Sequence, residues 1–202
     1  MATRRRRTES EPVRRRQLLR SARKVFREKG YNGATISDIV REAGVAQGTF
    51  YLYYSSKNAV AVSLLDDLME RIGAAVESAM KSDTSFDKKL GSMIGASFRV
   101  ARQNADLYRL AFIGADETHP EMHSESPEHA SILNTVTNLF SIAIDAGEME
   151  AMDPEIAARL VIGLLQHAII EAFVSGDGES EGSEQLEQGV RVLLVNALVR
   201  RG

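Results

Sequence analysis

A short segment near the N-terminus carries side chains suited to reading a nucleic acid. Gln47, Thr49 and Tyr51 stand over little more than one helical turn, with Gly48 between them. A glutamine can bond the edge of adenine at two points, while threonine and tyrosine can reach a phosphate or a thymine methyl group. Glycine lets the backbone come close. This pattern predicts a helix that enters the major groove of DNA, which is wide enough to admit one.

The residues before this segment predict the first helix of a helix-turn-helix motif. Thr35 can cap that helix, and Asp38 lies three positions on, as in a close relative of the capping box. Apolar residues recur at helical spacing up to Ala43, and Gly44 follows where the chain must turn left-handed. The motif therefore spans residues 35–54.

Charge is divided unequally along the chain. The 202 residues carry a formal net charge of −3, but residues 1–60 hold 14 Lys and Arg against 5 Asp and Glu, whereas residues 61–202 hold 11 against 23. A basic end beside a helix-turn-helix pattern favours contact with phosphate, for which Tyr53 and Lys57 are also well placed. The alternative is that the arginines among the first sixteen residues form only a solvated tail.

Composition limits the cellular setting and the chemistry. The length suits a small module joined to a larger helical core. Without cysteine, disulfides and thiolate metal sites are excluded. No run of eighteen apolar residues and no secretory signal are present, so we expect a soluble cytoplasmic protein without a membrane contact.

Apolar periodicity predicts helices throughout, and no segment has the alternation typical of a strand. The predicted fold is all-α, with an N-terminal three-helix DNA-binding domain followed by a helical ligand-binding and dimerisation domain. The boundaries are a disordered basic arm at 1–12, the DNA-binding domain at 13–58 and the regulatory domain at 59–202. Ser55 or Ser56 is expected to cap a long helix that ends near Met80. The later helices are predicted at 86–103, 107–113, 127–146, 154–175 and 184–200, with an exposed linker at 175–183.

The order of residues in the first part of the chain resembles the DNA-binding domain of the TetR (tetracycline repressor) family of transcriptional regulators. The resemblance covers about Val13 to Leu65 by motif, and two positions depart from it, Ala46 and Leu52, where the family often has a capping serine and a polar or aromatic residue. It is carried by Phe26, Gly30, Tyr31, Thr35, Ile39, Ala43, Gly44, Val45, Gly48, Thr49, Tyr51, Tyr53 and Lys57.

The resemblance adds Thr35 and Ser37 to the residues expected to face DNA. The complete predicted set is Thr35, Ser37, Gln47, Gly48, Thr49, Tyr51, Leu52, Tyr53 and Lys57. One helix in the major groove covers only a few base pairs, so a homodimer on a palindromic double-stranded operator is expected. The helix between Ile156 and Phe173 is apolar on more than one face and the last helix offers a partner stripe, which favours a dimer interface over a purely internal core. The residues expected there are Leu160, Leu164, Ile169, Leu186, Val190, Leu194 and Leu198.

A small-molecule effector is implied by the resemblance alone, and no resident cofactor is expected. The pocket candidates are Phe98, Arg102, Tyr108, Phe112, Phe140 and His167, large or polar residues on helices that would surround a cavity. His119, His123 and His129 do not have the spacing of a zinc-protease motif, so no metal site is predicted. No catalytic constellation is present, and an enzyme is the least favoured class. The interpretation is a regulator, most simply a repressor released by its effector, and the alternative is a DNA-binding regulator controlled by a protein partner.

Overall fold

The computed structural model describes residues 11–81, 84–113, 127–175 and 180–200, and in these ranges the chain is helical without a β-strand. The sole pairing of extended residues in them is an isolated antiparallel bridge between Met149 and Val199. The all-α prediction is confirmed. The chain divides into a first unit, Met1–Leu64, and a second unit, Leu65–Gly202.

The helices follow the predicted order closely. The first unit contains α1 (Glu11–Gly33), α2 (Ile36–Ala43), α3 (Gln47–Tyr51) and the start of α4 (Lys57–Met80). The second unit contains the rest of α4, then α5 (Phe86–Gln103), α6 (Ala105–Ile113), α7 (Pro127–Asp145), α8 (Pro154–Ile170), a π-helical turn (Glu171–Ser175) and α9 (Ser180–Leu198).

Helix α1 supplies the core of the first unit. Leu18, Ala22 and Phe26 recur at helical spacing and are buried, so this face packs inward. At Gly30 the backbone leaves the helical region, with φ 69° and ψ 168°, before one more turn is added. The predicted end of the helix at Gly30 therefore corresponds to a break inside α1, at a conformation that glycine adopts cheaply.

Helix α4 begins at a side-chain cap. Of the two serines that the sequence left open, Ser56 fills this role, since its hydroxyl accepts from the backbone N–H of Ala59 at 3.0 Å. Val60 and Leu64 in the first two turns are buried. The first unit accordingly extends to Leu64, beyond the predicted boundary at residue 58. At the other end, α1 begins at Glu11, so the last two residues of the predicted arm are helical, while residues 1–10 lie outside the described part of the chain.

Pairs of buried phenylalanines hold the second unit together. Phe86 and Phe140 pack edge to face with ring centroids 5.8 Å apart, and Phe98 and Phe173 do so at 6.4 Å. All four are nearly or fully buried. The carboxylate of Glu148 accepts from the backbone N–H of Phe86 at 2.9 Å, which satisfies a donor at the start of α5 that has no partner within its helix.

Helix α8 has the start that its sequence predicts. Asp153 caps it by accepting from the N–H of Ile156 at 2.9 Å, and Pro154 occupies the first helical position. At its other end the helix widens into the π-helical turn, where Arg109 donates to the carbonyl of Phe173 at 3.1 Å. Among the described residues one stretch, Pro154–Ser175, is long and apolar enough by length and composition to cross a membrane, and close to half of its most apolar part is buried inside the protein.

The start of α9 corrects the predicted linker. The helix begins at Ser180, four residues earlier than predicted, and residues 176–179 lie outside the described ranges. Ser183 is only 1% exposed, and its hydroxyl accepts from Arg102 at 3.4 Å. A composition of small polar residues predicted solvent exposure here, but a serine is small enough to be buried once its hydroxyl has a partner.

Candidate nucleic-acid interface

Helix α2 starts at a complete capping box. The Thr35 hydroxyl accepts from the N–H of Asp38 at 3.1 Å, and the Asp38 carboxylate accepts from the N–H of Thr35 at 3.2 Å. Lys29 pairs with the same carboxylate at 2.7 Å, and Arg41 also bonds to it. The ammonium of Lys29 and the bonds from Thr35 hold the pKa of Asp38 well below its usual range. The start of the helix-turn-helix is therefore fixed by charge and hydrogen bonds together.

The turn between the two short helices is a left-handed glycine cap. Gly44 has φ 65° and ψ 33°, and its N–H donates to Arg41 O at 3.2 Å. The next N–H, from Val45, donates to Val40 O at 3.0 Å. These bonds satisfy carbonyl groups that the end of α2 would otherwise leave unpaired, and they direct the chain into α3. The predicted turn is confirmed.

Helix α3, here called the reading helix, is held by aromatic residues on one side and exposed on the other. Phe50 is fully buried and Tyr54 is 5% exposed, with their ring centroids 5.8 Å apart. Arg15 of α1 donates to the Tyr54 hydroxyl at 3.3 Å. Tyr51 is 52% exposed and Leu52 80% exposed. The buried pair anchors the reading helix while its outer side chains stay accessible.

The predicted DNA-facing residues fall into two groups by exposure. Thr35, Ser37, Gln47, Gly48, Tyr51 and Leu52 are exposed, while Thr49 and Tyr53 are half-buried. The Thr35 hydroxyl also donates to Asp38 at 2.8 Å, so its proton is used within the capping box and its oxygen can act only as an acceptor towards DNA. All of these residues belong to the first unit.

Lys57 is directed inward. Its ammonium donates to the carbonyl oxygens of Tyr31 at 2.7 Å and Ala34 at 3.0 Å, and it lies 4.4 Å from the centroid of the Tyr31 ring. Desolvation by burial lowers the pKa of this lysine. In this conformation Lys57 joins the start of α4 to the corner between α1 and α2, and two of its three donors are used there.

The predicted pocket residues do not form one group. Phe98, Tyr108 and Phe140 are buried in the second unit, and burial raises the pKa of Tyr108. Arg102 is instead exposed, where it donates to Ser183 and lies 3.9 Å from the carboxylate of Glu187. His167 is also exposed, on α8. A charged side chain stays in solvent where no buried partner offsets its desolvation. The side chain of Phe112 lies outside the described part of the chain.

The predicted interface residues are also divided. Leu160 is 64% exposed, and Leu164 and Leu186 are half-buried. Ile169, Val190, Leu194 and Leu198 are instead buried within the subunit, because α9 packs against both α5 and α8. Three further apolar residues on these helices are exposed. They are Ile156, Val192 and Leu193, at 57%, 48% and 57% exposed.

Within the described ranges no group of three or more histidine or carboxylate side chains is placed to hold a metal ion. Of the histidines weighed for such a site, His129 lies on α7, whereas His119 and His123 fall outside those ranges.

Two family models match the chain. Residues 18–64 match the model described as bacterial regulatory proteins, tetR family, and residues 95–195 match the C-terminal domain of AefR-like transcriptional repressors. The HTH-type transcriptional regulator YvdT of Bacillus subtilis is 29% identical over 90% of this chain and 93% of its own length. The fatty acid metabolism regulator protein of the same species is 25% identical over 76% of this chain and 80% of its own length.

Solved structures show the same fold. The fatty acid degradation regulator FadR of Bacillus halodurans has a TM-score of 0.75 at 24% identity and covers 93% of this chain and 96% of its own. FadR of Bacillus subtilis in complex with stearoyl-CoA has a TM-score of 0.74 at 25% identity, over 89% of this chain and 97% of its own. These relatives are transcriptional regulators, which confirms the prediction of a regulator and not an enzyme. With its helix-turn-helix domain and its C-terminal domain both matched, the chain belongs to the TetR family of bacterial transcriptional regulators.

Proposed function

We propose that this protein represses transcription by binding a palindromic operator as a homodimer, with the reading helix of each subunit in the major groove. The observation that supports this most directly is the reading helix itself. Its inner side is fixed by Phe50 and Tyr54, whereas Gln47, Tyr51 and Leu52 project from its outer side. Reading bases in a groove requires a helix that is held rigidly on its inner side and presents exposed polar and apolar side chains on its outer side.

The dimer is supported by the surface of the last two helices. Ile156 and Leu160 lie one turn apart on α8, and both are more than half exposed. On α9, Leu193 is also more than half exposed, and the adjacent Val192 is close to half exposed. The two helices pack against each other, and exposed apolar side chains on neighbouring helices are characteristic of an interface in a soluble protein. Two subunits joined there would present two reading helices to the two halves of an operator.

The effector proposed here is a long-chain acyl thioester of coenzyme A. A relative that is similar over most of the chain, FadR of Bacillus subtilis, has been solved with stearoyl-CoA. The second unit is rich in buried aromatic side chains, including Phe98, Tyr108, Phe140 and Phe173, which suit the acyl chain of such a ligand. The protein would have one conformation that binds the operator and one that does not. The effector would release the operator only to the extent that it binds the second conformation more tightly than the first.

Selection from random duplex DNA tests operator binding. The purified protein is incubated with the pool at moderate salt beside a Tyr51→Ala variant, and bound sequences are recovered. We expect the wild type to enrich an inverted repeat and the variant to enrich it much less, because the variant loses a side chain that is 52% exposed and that meets the core through its edge-to-face contact with Phe50. Equal, salt-sensitive recovery of all sequences by both proteins would contradict sequence-specific binding, because that behaviour requires only basic charge.

The selected operator then tests the effector. Stearoyl-CoA, stearate and coenzyme A are each titrated into the protein–operator complex, and dissociation is followed by fluorescence anisotropy. We expect release by stearoyl-CoA at concentrations where the two halves of the molecule have no effect. If none of the three releases the operator, the acyl thioester is not the effector, and control by a protein partner becomes the leading alternative.

A further inference from the structure

Leu52 is the most exposed large hydrophobic side chain in the described residues, at 80%. It directly follows Tyr51, the last residue of the reading helix. Phe50, just before Tyr51, and Tyr54, two residues after Leu52, are both buried. A single exposed leucine is common on protein surfaces. Leu52, however, lies on the surface that we propose meets DNA. Its position there limits which groups of the DNA its side chain can contact.

The backbone places Leu52 on the outer side of the reading helix. Its φ of −73° and ψ of −19° continue the helical path by one residue. Residues three and four positions apart share a helix face, so Leu52 lies beside Gly48 and Thr49. A Cβ built at Gly48 would meet nothing within 4 Å. The space over the Gly48 backbone is therefore open on the helix face that Leu52 shares, and a base edge can approach closely there.

Leucine can recognise only one feature of a base edge in the major groove. It has no donor or acceptor, and the groups that distinguish adenine, guanine and cytosine there are such polar groups. Thymine alone adds an apolar substituent, the methyl group on C5. Removing that methyl group and the leucine side chain from water on contact is favourable, whereas placing the leucine on a polar edge would desolvate that edge without compensation.

We propose that Leu52 packs against the C5-methyl group of a thymine in each half of the operator and selects thymine at that position. This inference depends on the proposed function, in which the reading helix enters the major groove. It assigns a base preference to a residue at which the chain departs from the usual pattern of its family.

Replacing thymine by deoxyuridine tests the inference, because the two bases differ only by the methyl group. Each thymine of the duplex selected by the wild-type protein is replaced in turn, symmetrically in both halves, and affinity is measured by anisotropy. One buried methyl-sized group corresponds to about a fourfold change in affinity, so we expect about fifteenfold weaker binding when both halves are changed at the position that Leu52 contacts. The Leu52→Ala variant should bind the thymine and uracil duplexes with nearly equal affinity.

Gln47→Ala provides the matched control on the same surface. It removes a different exposed side chain and should bind both duplexes more weakly, but it should keep the preference for thymine. Thermal unfolding of all three proteins shows whether they fold equally well, and we expect nearly equal midpoints because both substituted side chains are exposed.

Two results would overturn the inference without affecting the proposed function. In one, the wild type binds the operator but tolerates uracil at every position. In the other, Leu52→Ala weakens binding to both duplexes and leaves their ratio unchanged, which would place Leu52 against the sugar–phosphate backbone. Failure of the wild type to select any inverted repeat would instead overturn the proposed function, and the inference with it.

Discussion

At the scale of single residues, Asp38 links the helix-turn-helix to pH. Its carboxylate accepts from Thr35 and pairs with Lys29 and Arg41, and it is only 8% exposed as a residue. Because these partners lower its folded pKa, the folded state favours the charged form. The stabilisation is complete above the ordinary aspartate pKa of about 3.9 and is lost as the pH falls through the lower, folded pKa.

Asp38→Asn should therefore destabilise the protein at neutral pH and lose part of its acid sensitivity. Asparagine keeps the shape of aspartate and one acceptor oxygen, but its amide group does not take up a proton as the pH falls. Urea unfolding of both proteins at several pH values between 7 and 2 measures the difference. We expect the two free energies of unfolding to converge as the pH falls, whereas a constant difference would show that the charge of Asp38 contributes nothing.

Lys57 is a second residue whose role the structure specifies. Lys57→Met keeps an apolar side chain of similar length but removes both bonds to the carbonyls of Tyr31 and Ala34. Hydrogen bonds from a charged donor suggest a loss of about 1–2 kcal/mol in the free energy of unfolding. Lys81→Met is the control, since the Lys81 side chain is 72% exposed and pairs with Glu77 near the end of α4. An equal effect of both substitutions would contradict a specific role for Lys57.

The orientation of Lys57 could not be predicted from the sequence. A lysine at this position has a side chain long enough to reach either a DNA phosphate or a carbonyl of its own chain, and only the three-dimensional position of the α1–α2 corner decides between them. The same holds for Arg102, whose exposed position depends on where α9 places Glu187 and Ser183. The exposure of Tyr51 was predictable, because Phe50 and Tyr54 occupy the inward positions at helical spacing.

At the scale of helices, α3 lacks a side-chain cap. Ala46 has the extended backbone of an N-cap residue, with φ −72° and ψ 150°, but no side chain that could accept from the first helical N–H groups. Ala46→Ser should add this acceptor without moving the backbone and raise the free energy of unfolding by about 1 kcal/mol. Chemical unfolding measures the change, with Ala46→Val as a control that adds side-chain bulk and has no acceptor. Equal stability of the two variants would contradict capping.

The bounds of the helices were predictable where a strong local signal marks them. The sequence placed α5 at both of its observed ends, Phe86 and Gln103, and it placed the start of α8 at Pro154 through Asp153. It failed at the start of α9, where serine and glycine residues indicate a loop by composition but form the first turn of a helix that buries Ser183. Tertiary packing overrides weak local preferences there.

At the scale of the whole molecule, the proposed function depends on the pairing of two subunits. Leu160→Glu or Leu193→Glu would place a charge within the proposed interface, where it would be desolvated without a partner. We expect either variant to be monomeric by light scattering and to bind the selected operator at least tenfold more weakly. Ile142→Glu on α7 is the control, since this residue is 66% exposed and lies outside α8 and α9. A dimeric Leu160→Glu variant would contradict this interface.

The separation of anchoring and reading residues on α3 has a consequence for how this protein could evolve. Phe50 and Tyr54 keep the helix in place, whereas Gln47 and Leu52 are exposed and Tyr51 adds one edge-to-face contact with Phe50. Substitutions at the outer positions therefore carry a small cost in folding, so a lineage can explore new binding sites one residue at a time. After gene duplication, two copies could acquire different targets while keeping the same scaffold.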